Sequence, residues 1–264
     1  MNHLRSLGVL LGLGLTLAAV ACGEDQGGSG GSSSSSSTGS TGGTGGTGGT
    51  GGAGGTGGVG GAGGTGGAGG SEAKSLSFFV SSTGSTTANL GGLDGADKRC
   101  QDLATPVGAG AKTWRAYLSV EKGPNGEPVH AKDRIGTGPW YNAKGEMVAA
   151  NLTELHARYG DHKVFLDEKG EMVPGQWEGS PTPNQHDVLT GTARDGTLVP
   201  GQTCADWTSE DATMTAQVGH SDGLGPNMSD AEMYRPWNSV HVNGNCGDTA
   251  PKGGNGRVYC FAAD

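Results

Sequence analysis

The chain has 264 residues, 55 of them Gly; 29 of those Gly precede residue 72, whereas every Trp, Tyr and Phe follows it. A core needs large apolar side chains, so only residues 72–264 can build one, and that is a single domain of ordinary size; a multidomain enzyme, a polytopic membrane protein and a coiled coil are excluded. The formal net charge is -9, and with Arg5, Glu24 and Asp25 set aside the domain keeps 16 Lys/Arg against 24 Asp/Glu, net -8, which repels nucleic acid, sulfated polysaccharide and anionic lipid.

Residues 1–21 read as an export signal. Arg5 supplies the positive n-region, and the apolar stretch Leu7–Val20 is short and Gly-containing, which suits an h-region better than a spanning helix. It ends Leu17-Ala18-Ala19-Val20-Ala21-Cys22. Small residues directly before a Cys resemble the bacterial lipobox, which implies that Cys22 is acylated and becomes the mature N-terminus. Several acyl chains are enough for stable anchoring. Gly23 rather than Asp follows, so the expected destination is the outer membrane or the cell surface. Residues 22–71 then form a tether. From Gln26 to Ser71 there are 25 Gly, a Ser run and a Gly-Gly-Thr/Ala/Val repeat, too little apolar surface to offset backbone entropy. As a coil, such a segment reaches roughly 35–40 Å.

The expected elements follow in order. Ser75–Ser81 reads as an opening strand. Asp94 can cap a helix starting near Gly95, with Ala96, Cys100, Leu103 and Ala104 on one face. Trp114–Val120 alternates as a strand. Leu152–Tyr159 fits a short helix that stops at Gly160. Val164–Leu166 and Met172–Val173 flank a plausible hairpin turn, Glu168-Lys169-Gly170. Val188–Thr190, Cys204–Thr208 and Arg257–Ala262 read as further strands. Thr215-Ala216-Gln217-Val218 reads as a poor one. Two helices on an antiparallel sheet with long Gly-rich loops is an α+β fold.

Beyond Cys22, four Cys remain: Cys100, Cys204, Cys246 and Cys260. An even number in an exported chain reads as two disulfides, with three possible pairings. No CxxC or CxxH occurs, which argues against a structural zinc site.

The order Gly95-Ala96-Asp97-(x)2-Cys100-Gln101, Trp114-Arg115-Ala116-Tyr117-Leu118-Ser119, Asn151-Leu152-(x)2-Glu154-Leu155, Val188-(x)2-Gly191, Cys204-(x)2-Trp207 and Cys246…Val258-Tyr259-Cys260 resembles the endostatin domain of collagens. Phe78–Val80 and Gly91–Cys100 also resemble a family of bacterial lipoprotein domains of unknown function. Both resemblances imply a C-type-lectin-like fold. The first implies nested bridges, Cys100–Cys260 and Cys204–Cys246. Heparin binding is not carried over, because that property needs an arginine-rich surface and this domain is net -8. Nor is the zinc site of that family, since Glu72–Asp97 holds no His. A lectin Ca²⁺ site is not expected either: Thr182-Pro183-Asn184 and Trp237-Asn238-Ser239 lack the required carboxylates.

Gly219-His220-Ser221-Asp222-Gly223 matches G-x-S-x-G, and Ser221, Asp230 and His241 occur in hydrolase order. A nucleophile elbow needs a buried strand before it and a helix after it, and neither is expected, so a serine hydrolase is the rival reading and not the favoured one. The seven His show no HExxH; His156 and His162 flank a helix end, where a cation suits the dipole. Trp114, Trp177 and Trp207 are expected in the core. Trp140 and Trp237, set among Gly, Pro and Asn, are candidate ligand contacts, as are Asp206 and Asp222. The expected function is a lipid-anchored, non-enzymatic binding module for an extracellular protein or glycan, without cofactor or metal. A structural envelope protein without a discrete ligand is the other alternative.

Overall fold

A computed structural model describes residues 75–264; the expected signal segment, the expected acylation site Cys22 and the expected tether lie outside the described residues. Strand β8 (Gly254–Ala262) organises the rest, with eight of its nine residues buried. Its two-residue period sends Val258, Cys260 and Ala262 into one apolar cluster and Tyr259 and Phe261 into a second. β1 (Phe78–Val80) and β2 (Trp114–Ala116) pair antiparallel with its C-terminal half. They divide the same way: Phe79, Trp114 and Ala116 join the first cluster, Phe78 and Val80 the second. A sheet covered on both faces reads as an unbroken apolar run, which is why Arg257–Ala262 is legible as a strand although it does not alternate.

Beyond β8 the sheet continues through β5 (Asp187–Leu189), β6 (Gln217–His220) and β7 (His241–Val242). β5 lies parallel to β8, while β5–β6 and β6–β7 are antiparallel. The expected antiparallel sheet therefore contains one parallel pair. The segment expected to be a poor strand enters β6, and Val218, Gly219 and His220 are buried. A Cβ on Gly219 would lie 2.0 Å from the Trp237 carbonyl oxygen, so this strand needs Gly where the 237–238 backbone crosses it. A further hairpin, β3 (Trp140–Tyr141) with β4 (Met147–Ala149), was not expected. The hairpin expected around Gly170 narrows to a single bridge, Leu166 with Met172.

Helix α1 (Gly92–Ala104) starts earlier than expected. Gly91, at φ 77°, is its N-cap, and Asp94 sits in the first turn, where a carboxylate suits the helix dipole. Ala96, Cys100 and Ala104 face the first cluster. Asp97 is buried beside them, and its carboxylate accepts the Ala116 N–H at 2.8 Å, Arg115 at 2.8 Å and Arg134 at 2.8 and 2.9 Å. A buried carboxylate is tolerable only with such partners, and these tie α1 to β2. Helix α2 (Leu152–Ala157) is capped by Asn151, which accepts the Glu154 N–H at 3.0 Å, while Glu154 accepts the N–H of Ala150, one residue before the cap, at 3.1 Å. It ends before Tyr159 because Arg158 is extended.

The expected strand at Cys204–Thr208 is instead a left-handed turn, with φ of 48°, 50°, 57° and 65° at Cys204, Ala205, Asp206 and Trp207. This conformation costs roughly 1–2 kcal/mol per L-residue. Three anchors offset that cost: the Cys204–Cys246 disulfide, the Trp207 indole N–H donating to the Ser119 carbonyl at 2.9 Å, and the Thr203 hydroxyl accepting the Asp206 N–H at 3.1 Å. The second bridge, Cys100–Cys260, fastens α1 to β8. Both pairings are those that the endostatin resemblance implied, with Cα separations of 5.5 and 5.7 Å inside the disulfide range.

Candidate functional site

The structure reassigns the candidate ligand contacts. Trp140 and Trp237 are 1 % and 0 % exposed. Gly, Pro and Asn around them mark turns, and turn residues report backbone geometry rather than burial. Trp237 donates its indole N–H to the Leu155 carbonyl at 2.8 Å, and Trp140 packs edge-on against Phe261. Trp114 and Trp207 are buried as expected. Trp177, expected in the core, is half-buried and stacks on His162 at 5.4 Å. Asp222 is buried too. Its carboxylate accepts from the backbone N–H groups of Gln176 (2.6 Å) and Leu224 (3.0 Å) and meets His186 Nδ1 at 2.7 Å. Burial pushes this carboxyl's pKa up; the His186 hydrogen bond and charge, with the two N–H groups, outweigh it and hold the pKa below the usual carboxylate range.

Of the four candidates, Trp140 borders a hollow of 460 Å³ with its side chain buried, and only Asp206 is both at a surface depression and partly exposed. The left-handed turn projects it between two hollows. One, of 590 Å³, is lined by residues that include Asp94, Arg115, Lys122, Pro124 and Thr208. The other, of 380 Å³, is lined in part by Glu121, Gly201, Ala205 and Met214. The Asp206 carboxylate accepts the backbone N–H groups of Glu121 (2.6 Å) and Lys122 (3.1 Å), so it clamps the 121–124 loop and shapes the rim. The solvent-facing groups on this face are Arg115, whose side chain is 44 % exposed while it pairs with Asp97, and the exposed Lys122 and Met214. The larger hollow balances three acids, Asp94, Asp97 and Asp206, against Arg115, Lys122 and Arg134.

A second cluster was missed in the sequence. Strand register puts Asp187 opposite His220 and His241 opposite Val218, so Asp187, His220 and His241 share one face. His220 Nε2 lies 3.3 Å from Asp187 Oδ1, and His241 Nε2 lies 3.6 Å from Asp187 Oδ2. The two imidazole Nε2 atoms are 3.1 Å apart. The His186 ring stacks on His220 at 4.1 Å. Asp187 is 1 % exposed, yet neither of its oxygens has a hydrogen-bond partner, and His220 Nδ1 has none. The available signal was the pairing of His with nearby Asp, in His186-Asp187 and in His220-Ser221-Asp222. The strand pairing that unites them was not visible.

Ser221, Asp230 and His241 are not joined: among the described residues no hydrogen bond or ion pair links any two of them, and His241 faces His220 and Asp187 instead. His156 and His162 do not act together at the helix end. His156 donates from Nδ1 to the Leu152 carbonyl (2.8 Å) and meets the Tyr117 hydroxyl through Nε2 (2.7 Å). Burial lowers its pKa against that carbonyl hydrogen bond, which favours a neutral ring over the expected cation. No protein-family model matches the chain, and no curated protein is similar to it in sequence.

Proposed function

We propose that the chain is an exported lipoprotein, held at the outer membrane or cell surface by an acylated Cys22 and the Gly-rich tether. Its domain is a non-enzymatic, C-type-lectin-like module of the endostatin type that binds a protein partner across the two hollows flanking Asp206. Supporting the fold reading are the α+β architecture, the nested bridges and the long loops mounted on a doubly covered sheet. The observation that carries the binding reading is the left-handed turn at Cys204–Trp207. Backbone held in a sparsely populated region by three separate anchors is characteristic of recognition sites, and this turn forms the ridge between the hollows. A protein ligand is favoured over a glycan because no aromatic ring lines either hollow, whereas Arg and Met, residue types enriched at protein interfaces, do.

Labelled full-length chain is expected to bind intact cells saturably. Protease treatment of those cells should remove the binding and glycosidase treatment should spare it. The double variant Arg115→Ala, Lys122→Glu should bind about tenfold more weakly or worse, since Asp97 keeps Arg134 and the fold is retained. Equal binding by that variant would sink the assignment of the face, and loss on glycosidase treatment would transfer it to a glycan. For the anchor, labelled palmitate should enter the full chain and be lost in Cys22→Ala; label retained by that variant refutes the lipid assignment.

A further inference from the structure

We infer that Asp187, His220 and His241 form a binding site for a divalent transition-metal ion, separate from the face around Asp206. A carboxylate taken out of water loses several kcal/mol of hydration unless charge or hydrogen bonds replace it. Asp187 has neither oxygen hydrogen-bonded, in contrast to Asp97 and Asp222, which accept four and three hydrogen bonds. Its oxygens face three imidazole nitrogens instead: Oδ1 lies 3.3 Å from both His186 Nε2 and His220 Nε2, and Oδ2 lies 3.6 Å from His241 Nε2.

The spacing fits a metal. Zinc–ligand bonds of about 2.0–2.1 Å at tetrahedral angles separate the ligand atoms by about 3.3 Å. The three separations here are 3.1 Å between His220 Nε2 and His241 Nε2, 3.3 Å from His220 Nε2 to Asp187 Oδ1, and 3.6 Å from His241 Nε2 to Asp187 Oδ2. The last two run to different oxygens of one carboxylate, so the two Nε2 atoms and the Asp187 carboxylate bracket a space that a single ion would share through either oxygen or both. The tautomer of His241 is fixed as well. Its Nδ1 lies 3.0 Å from the Val242 carbonyl, which can only accept, so Nδ1 carries a proton and Nε2 is the nitrogen turned inward to bind an ion. That arrangement is how proteins orient a ligating imidazole. Two imidazoles and one carboxylate suit zinc and its first-row neighbours, not calcium or magnesium, which require oxygen ligands. His241 is 32 % exposed in its side chain, which gives an ion a way in to an otherwise buried set.

Full-length chain stripped with EDTA should be titrated with ZnCl₂ by calorimetry and with CoCl₂ by visible absorption. One equivalent of Zn²⁺ is expected, and Co²⁺ should develop the intense ligand-field bands of a site with few ligands. Losing a shell that merely supports a ligand weakens binding by about 10–100-fold, so loss of a ligand itself, in Asp187→Asn or His241→Ala, should weaken Zn²⁺ by about 100-fold or more. His162→Ala should leave affinity unchanged. No saturable Zn²⁺ binding, or unchanged affinity in Asp187→Asn and His241→Ala, overturns the site and leaves a proton shared between imidazoles as the charge facing Asp187. If Asp187→Asn does not fold, the partly exposed His241→Ala decides alone.

Discussion

Replacing Cys100 and Cys260 together by Ala should destabilise the domain by about 5 kcal/mol, the value that loop-closure entropy assigns to a bridge across 160 residues. The same relation gives about 4 kcal/mol for the 42-residue span of Cys204–Cys246. The two losses will not add, because the smaller loop lies inside the larger. For a domain of this size, 5 kcal/mol lowers Tm by about 10–20 °C. The effect is large because of what the longer bridge joins. Cys100 lies on the buried face of α1, and Cys260 lies in β8 at the point where β1 and β2 both pair with it. Urea and thermal unfolding of the non-reduced full chain, beside the double variant, measure this directly. A shift no larger than that of a surface substitution would remove the bridge from the stability argument. The Cys204→Ala, Cys246→Ala pair should behave differently. It frees the left-handed turn, so cell binding should fall even at temperatures where the domain stays folded.

How far the sequence carried depends on what each element needs. β1, β5 and β8 are legible because sheet faces buried on both sides demand runs such as Phe78-Phe79-Val80 and Val258-Tyr259-Cys260-Phe261, and β2 through its alternation, with Trp114 and Ala116 buried on either side of an exposed Arg115. α2 is legible as the short helix before the stop at Gly160, and the structure adds its cap, Asn151 with Glu154. β6 and β7 are not, since they have four and two residues, and β6 contains Gly219 at the place where the Trp237 backbone crosses. Asp187, His220 and His241 are therefore three unconnected residues until register joins them. Asp97 looks like an ordinary exposed helical acid. Its burial is decided by Arg134, 37 residues away. The turn at Cys204–Trp207 is hidden for a related reason: Cys, Ala and Trp do not favour positive φ locally, and the conformation is imposed by a disulfide and an indole hydrogen bond that span the domain.

The status of Trp237 separates a folding role from a binding role. Its indole fills the second cluster, with ring centroids 4.7 Å from Tyr117, 4.9 Å from Tyr259 and 5.8 Å from Phe165. Its N–H holds the C-terminal end of α2 through the Leu155 carbonyl. Trp237→Ala empties that space, and truncations of this kind cost about 3–5 kcal/mol. The Leu155 carbonyl then keeps only the Arg158 N–H at 3.3 Å. Trp237→Phe retains most of the apolar volume and should recover part of the loss, the remainder reporting the missing hydrogen bond. Urea unfolding of the three full-length proteins gives both values. Under conditions where Trp237→Ala remains folded, its binding to cells should equal that of the parent, because the indole reaches no surface. Abolished binding with unchanged stability would require an exposed Trp237, and with it a different packing of β8 against the 237–238 segment.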